Sequence, residues 1–445
     1  MKRMIATLLQ SPHCHIGIMV FGVLLRVRHF LENRSLWLDE AYLALNILES
    51  SFQQIWHQLP IIQEQAKAPL AFSLLVKSAA MVFGSGETAL RLVPLLAALL
   101  AVYFFYRLTR RCLDGPAVSI ALALFATCDA LVYYAAELKP YSSDVFCALV
   151  LYLAFDRVRR EPAERIYYIL LGLAGWLVIW SSFPGILVLA SIGAVVMFSA
   201  PREERTYFLF IGIFWLLNVL MVYKFAVSPM LGSSYITGSI AEYFPPAPLW
   251  TREGLGWLGH AWAAMFRNPL GMPMVLLSNV LLLTGVVSMW RARRDWCLVL
   301  LLPVILTVTA ACLHKYPFFN RHLLFLAPAL ILFISQGVTV WIRKSRRTDW
   351  AVAALLVVAL LVIPLKTAVY YLGEPREWQQ NRAVMQYVTE HFTDGDALYF
   401  NTSAQYMIAY YLDLLNAENL FLKPLNVSPD RNFRGLSFGK IDDQL

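Results

Sequence analysis

Apolar blocks recur along this chain at about the 17–25 residues a helix needs to cross a bilayer, and short polar breaks separate them. Eleven stretches qualify: 8–29, 90–107, 117–135, 141–157, 165–183, 185–200, 206–227, 272–290, 296–313, 323–342 and 349–370. The breaks alternate in charge. With the N-terminus in the cytoplasm, the arginine clusters at 107–111, 157–160, 202–205, 291–294 and 343–347 all fall inside. The short outer loops carry little beyond Lys139, Lys315 and Arg321. Positive charge retained on one side fixes this orientation and predicts an extracytoplasmic C-terminus.

Pro69–Phe83 is short for a span, and counting it as one would put Arg107–Arg111 outside. It is expected to lie on, or dip into, the outer surface. Asp39–Leu59 reads as a second such helix, because Leu43, Ile47, Phe52, Ile55, Trp56 and Leu59 share one side at helical spacing. Three outer regions then stand out: about 31–89, about 228–271 with a short helix near Leu255–Phe266, and everything after Tyr371. In the last, an amphipathic Arg382–Phe392, a turn at 394–396, a strand at Ala397–Asn401 and a helix at Ser403–Leu415 predict a small α/β domain over 372–445. It would follow a transmembrane unit spanning 1–371.

Composition strengthens the membrane reading. Of 445 residues 59% are hydrophobic and only 15% charged, against roughly a quarter in soluble domains. The net charge of +8 sits in dispersed clusters at the ends of apolar blocks, which suits membrane orientation and argues against nucleic acid. Residues 1–10 lead through Ser-Pro-His-Cys-His into another apolar run, as a retained first span would, and not a cleaved leader. The six cysteines lie in or beside apolar blocks, with no disulfide framework and no CxxC metal signature.

The candidate chemistry is on the outer side. Leu36–Tyr42 (Leu-Trp-Leu-Asp-Glu-Ala-Tyr) sets Asp39 and Glu40 at the membrane surface. One carboxylate there can take a proton from an acceptor hydroxyl while the other positions it; equally, acids at a helix start favour the dipole. Lys67 can face a phosphate as a point charge or snorkel to headgroups. Glu137, Lys139 and Tyr141 crowd one short loop, and residues 314–322 bring Lys315, Arg321, His314 and His322 into another. Arg26, Arg28 and His29 end the first span against the charge rule. Acids and cations from separate segments thus meet at one lipid boundary, as needed to bind a lipid phosphate and deprotonate an acceptor.

In their order these elements resemble the C-type (GT-C) membrane glycosyltransferases, in the branch of the protein O-mannosyltransferases and the lipid A aminoarabinose transferase. The resemblance runs through Leu25-Arg26, Leu36–Ala41, Lys67–Leu70, Phe83–Glu87 with Leu90–Pro94, Glu137–Tyr141, Arg321–Pro328 and Trp378…Asp396. It implies a fold of about eleven spans with outer juxtamembrane helices. The implied reaction is inverting transfer of a sugar from a polyprenyl-phosphate monosaccharide to a lipid, glycan or protein hydroxyl, outside the plasma membrane of a bacterium. Asp39 would be the base with Glu40 beside it, and Lys67 and Arg321 would contact the carrier phosphate. Lys139 and Arg91 are further phosphate candidates, and Glu137, Tyr141, Arg26 and His322 would support them. No cofactor is fixed; a divalent ion, if bound, would take Asp39 and Glu137. The competing classes are a transporter or flippase of lipid-linked glycans, which would carry its charges at the midplane, and a non-catalytic assembly partner.

Overall fold

The computed structural model describes residues 10–57, 68–162, 164–199, 201–228, 241–344, 350–374, 376–393, 404–414, 429–433 and 436–439. Its helices are α1 (Pro12–Leu31), α2 (Leu38–Glu49), α3 (Phe52–Trp56), α4 (Leu70–Phe83), α5 (Glu87–Cys112), α6 (Ala117–Thr127), α7 (Asp129–Tyr133), α8 (Tyr141–Arg160), α9 (Arg165–Ser181) and α10 (Gly185–Ser199). They continue as α11 (Arg202–Val222), α12 (Arg252–Arg267), α13 (Val275–Ala292), α14 (Arg294–Cys312), α15 (Ala327–Lys344), α16 (Trp350–Gly373), α17 (Asn381–His391) and α18 (Gln405–Leu414). Two short antiparallel strands, β1 (Pro429–Phe433) and β2 (Leu436–Gly439), pair Phe433 with Leu436.

Seven of the described helices are long and apolar enough to cross a membrane, or eight if α6 and α7, bent by 57°, count as one broken span. The chain is an integral membrane protein. α9 and α10 are apolar but shorter, and α8 carries Asp144 and Asp156 along with its terminal arginines. Of the eleven spans expected, the described residues supply eight with the length and hydropathy of a span, counting the bent pair once, and the shorter or more charged α8, α9 and α10 stand where the other three were placed.

Local sequence accounts for the boundaries. Ser11 caps α1 by accepting from the Cys14 amide, with Pro12 at the first helical position. The predicted single helix over 39–59 is divided because Ser51 caps a new one, Ser51 and Gln54 bonding reciprocally. The strand expected at 397–401 and the turn before it lie outside the described residues.

Two cores organise the molecule. The larger fills the transmembrane bundle around α15, whose span is buried almost throughout. α15 and α13 meet backbone to backbone: a Cβ on Gly285 would sit 1.8 Å from the Phe333 carbonyl oxygen, and one on Gly337 1.9 Å from that of Leu281. Small residues permit such approach where helices gain nothing from excluding water. The smaller core joins the first outer loop to the C-terminal segment, with Leu36, Leu43, Ile47, Phe72, Val76 and Leu90 packed against Met385, Ile408 and Tyr411. Polar bonds follow the same seam. Arg382 donates to Glu87 at 2.6 Å, Tyr411 donates to Glu87 at 3.0 Å and accepts from the Leu36 amide at 2.7 Å, and Asn381 donates to the Leu36 carbonyl at 2.8 Å. α17 and α18 are thereby fastened to the loop that carries Asp39.

Candidate active site at the outer ends of the spans

Hydrogen bonds accepted by the α2 carboxylates gather four helix ends on one face. Asp39 and Glu40 occupy the first turn of α2, where helical geometry turns neighbouring side chains apart. Their fates differ accordingly.

Glu40 points inward and is fully buried. Arg91, from the second turn of α5, grips it with two bonds, Nε to Oε1 at 2.8 Å and Nη2 to Oε2 at 2.6 Å. The Leu138 amide donates to Oε1 at 2.6 Å. Burial pushes this carboxyl up, but the Arg91 charge and hydrogen bonds outweigh it and hold Glu40 below the usual range. Arg91 spends its remaining donors on the Arg34 and Ser35 carbonyls at 2.5 and 3.2 Å. Arg91 was expected at the phosphate; it is buried against Glu40 instead, and the pair, beside Asp39, is a sealed tie between α2, α5 and the 137–139 loop.

Asp39 points the other way, with about a quarter of its side chain exposed, and accepts from Arg321 Nη2 at 2.7 Å. Arg321 stands in the 3₁₀ turn Asn320–Leu326 ahead of α15, entered through Asn320 at positive φ. Its guanidinium lies over the rings of Trp37 and Tyr141, at 5.4 and 5.8 Å. Only one of its five N–H groups reaches an acceptor among the described residues. His322 packs edge-on against the Tyr141 ring.

Lys139 belongs to the same cluster. Burial lowers its pKa, the Asp39 charge raises it, Arg321 lowers it again, and the net is below the ordinary lysine value. Its ammonium has no carboxylate within ion-pair distance among the described residues. Glu137 lies beneath, both oxygens buried without a hydrogen bond of ordinary geometry and with the Tyr133 phenol nearby. Burial pushes its carboxyl up and the Glu40 charge adds to this, against the pull of Arg34, Arg321 and Lys139.

Arg26 is elsewhere. Its guanidinium donates to the carbonyls of Gly22, Phe125 and Ala126 at 2.9–3.3 Å, filling the open C-terminal end of α6 where the broken span leaves acceptors unmatched. Its expected supporting role at the site gives way to this structural one. Lys67 lies outside the described residues.

The pattern reading overlooked two arginines. Arg34 stacks on Tyr133 at 4.0 Å and donates to the Ala136 carbonyl at 2.9 Å. Arg376 pairs with Asp129 at 2.6 Å and caps the same ring from 4.5 Å. Basic residues just outside a span, against the charge rule, were the available signal.

A divalent-ion site does not fit this donor set. Asp39 is engaged by Arg321, Glu40 by Arg91, and Glu137 is surrounded by three cations. Among the described residues no three His, Cys, Asp or Glu side chains cluster in a way that could hold a metal.

The arrangement of helices matches solved structures. The oligosaccharyltransferase of Archaeoglobus fulgidus, in complex with zinc and sulfate, aligns with a TM-score of 0.54 at 16% identity, over 89% of this chain and 61% of that one. ArnT from Cupriavidus metallidurans aligns at 0.52 in the apo state, with 14% identity over 89% of this chain and 84% of that one. Its complex with undecaprenyl phosphate aligns at 0.53, with 14% identity over 90% and 84%.

This is the GT-C fold.

The chain spans about three fifths of the archaeal enzyme's length. Residues 67–231 match the family described as dolichyl-phosphate-mannose-protein mannosyltransferase. Comparison with the curated proteins returns no match. The matched solved structures share the GT-C architecture; what they bind or transfer is their own.

Proposed function

We propose that this GT-C chain transfers a sugar, with inversion, from a polyprenyl-phosphate monosaccharide to a hydroxyl acceptor on the outer face of the plasma membrane, its N-terminus in the cytoplasm. The observation carrying this reading is the Asp39–Arg321 pair, part exposed, beside a lysine that has no carboxylate within ion-pair distance among the described residues. Asp39 takes the acceptor's proton while the acceptor oxygen attacks the anomeric carbon. The carbon–oxygen bond to phosphate breaks, and the lipid phosphate leaves with the electron pair. Arg321 and Lys139 face the charge that develops there. Because Arg321 holds Asp39 through a single nitrogen, its other N–H groups can meet a phosphate oxygen without releasing the carboxylate. Glu40 and Arg91 fix the α2 turn that aims Asp39, and Tyr141 and His322 flank the guanidinium. Lys67 is a further phosphate contact in this proposal. The match to the mannosyltransferase family model and the undecaprenyl phosphate bound by ArnT support a lipid-phosphate donor.

The test compares the lipids and glycans of cells that carry the wild-type chain, Asp39→Asn, or neither, by mass spectrometry, together with polyprenyl-phosphate binding to the purified proteins. An enzyme loses its product in Asp39→Asn by about 10²–10⁴-fold in rate while still binding the carrier. Product formation undiminished in the Asn variant would leave a flippase or an assembly partner as the better description.

A further inference from the structure

The face opposite the site holds a second polar cavity. Along α5, Arg107 and Arg111 lie sixteen and twenty residues beyond Arg91, about 24 and 30 Å at helical rise. There α5, α8 and α9 diverge around a cavity of about 490 Å³, within the roughly 300–1,000 Å³ of ligand sites. Its rim carries Arg107, Arg111 and Arg157 against one carboxylate, Asp156. Asp156 is buried and already taken by Arg111 Nε at 3.2 Å and Arg160 at 2.9 Å. Among the described residues Arg107 donates to the Tyr103 hydroxyl alone, and Arg157 to Glu161 alone, a pair half exposed to solvent. Below this rim the walls turn apolar, through Val150 and Leu153 on α8 and Leu170 and Ala174 on α9. From Arg157 to Val150 is seven residues, about 10 Å toward the membrane's middle. The cavity is therefore basic where headgroups lie and apolar where chains lie.

We propose that it seats one anionic phospholipid of that leaflet, its phosphate between Arg107, Arg111 and Arg157 and an acyl chain along α8 and α9. Charge complementarity selects the headgroup, and the apolar wall selects a lipid over a soluble anion. The site is independent of the reaction proposed above. Arginines at this face also serve orientation, but Arg110, exposed and outside the cavity, serves that equally.

The experiment is native mass spectrometry of the full chain released from nanodiscs of phosphatidylglycerol and phosphatidylcholine. One phosphatidylglycerol should be retained in preference to phosphatidylcholine. Retention should fall about tenfold or more in Arg107→Gln/Arg157→Gln, stay unchanged in Arg110→Gln, and fall in Ala174→Trp, which fills the wall and keeps every charge. Glycerol 3-phosphate should not compete. Equal retention of the two lipids, wild-type retention in the double variant or in Ala174→Trp, or displacement by glycerol 3-phosphate would each overturn the proposal.

Discussion

Asp39 and Glu40 are adjacent in sequence and opposite in circumstance, one part exposed beside Arg321 and the other sealed against Arg91. Sequence could place both acids at a helix start, but not say which faces inward, since that depends on where α5 and the 137–139 loop dock. Arg91 misled for the same reason: a lone cation in the second turn of an outer helix end looks available until its partner is known. Arg321 and Lys139 were legible from sidedness alone. At this scale Lys139→Ala and Arg321→Ala should each weaken binding of polyprenyl phosphate by about 1.5–3 kcal/mol, the value of a charge-assisted contact. Lys139→Arg should restore only part, because the forked head approaches differently; titration calorimetry in detergent would measure both. Glu137 permits a prediction with a sign. The unfolded carboxyl ionises near about 4.3, whereas burial and Glu40 raise the folded one. Between those values the folded state holds the extra proton, so stability declines as pH rises through the window and is undiminished below it. Glu137→Gln should match wild type in thermal unfolding near pH 4 and exceed it increasingly toward pH 7. A constant difference across that range would show that Glu137 is ionised in the folded chain.

Among the elements, the membrane helices were the most legible, because lipid on the outside and the core on the inside both demand apolar side chains over a fixed length. Ends and interruptions were less so. The bend between α6 and α7 leaves the hydropathy of 117–135 intact and emerges only when Arg26 is seen holding the Phe125 and Ala126 carbonyls. Nor does sequence reveal which glycines touch. Gly285 and Gly337 look no different from Gly212, yet the first two meet a neighbouring backbone and a Cβ at the third meets nothing. Gly285→Val should therefore push α13 from α15 and lower stability by about 1–3 kcal/mol or more. Gly212→Ala should be neutral or stabilising by about 0.5–1 kcal/mol. Thermal unfolding in one detergent would compare them, and equal effects would remove the special role of the α13–α15 contact.

For the molecule as a whole, the two faces are distinguished by chemistry. One carries the carboxylate–guanidinium cluster roofed by α17 and α18. The other carries Arg111 with Asp156, Arg159 with Asp295 and Arg293 with Asp114. The positive-inside rule predicts that the second face is cytoplasmic. In a chain with its own cysteines replaced, Trp250→Cys, 85% exposed in the wild type, should react with an impermeant maleimide from outside intact cells. Arg110→Cys should react only after permeabilisation. The reverse pattern would put Asp39 in the cytoplasm and end the proposal of an external acceptor. The roof itself was foreshadowed by the amphipathic stretch at 382–392, but its attachment to Leu36 and Glu87 was not, because contacts across three hundred residues leave no local periodicity.

Arg26 carries one more consequence, which concerns time. Two of its three carbonyl partners are encoded a hundred residues later, and at about 5–20 residues per second the ribosome needs roughly 5–20 s to supply them. For that interval α1 rests in the translocon or the bilayer with its guanidinium held by the Gly22 carbonyl alone of the three. The charge can reach toward headgroups meanwhile, but it settles only when α6 arrives and halts against it. α1 is thus made well before it is finished, and its register is decided by a helix that does not yet exist when it enters the membrane.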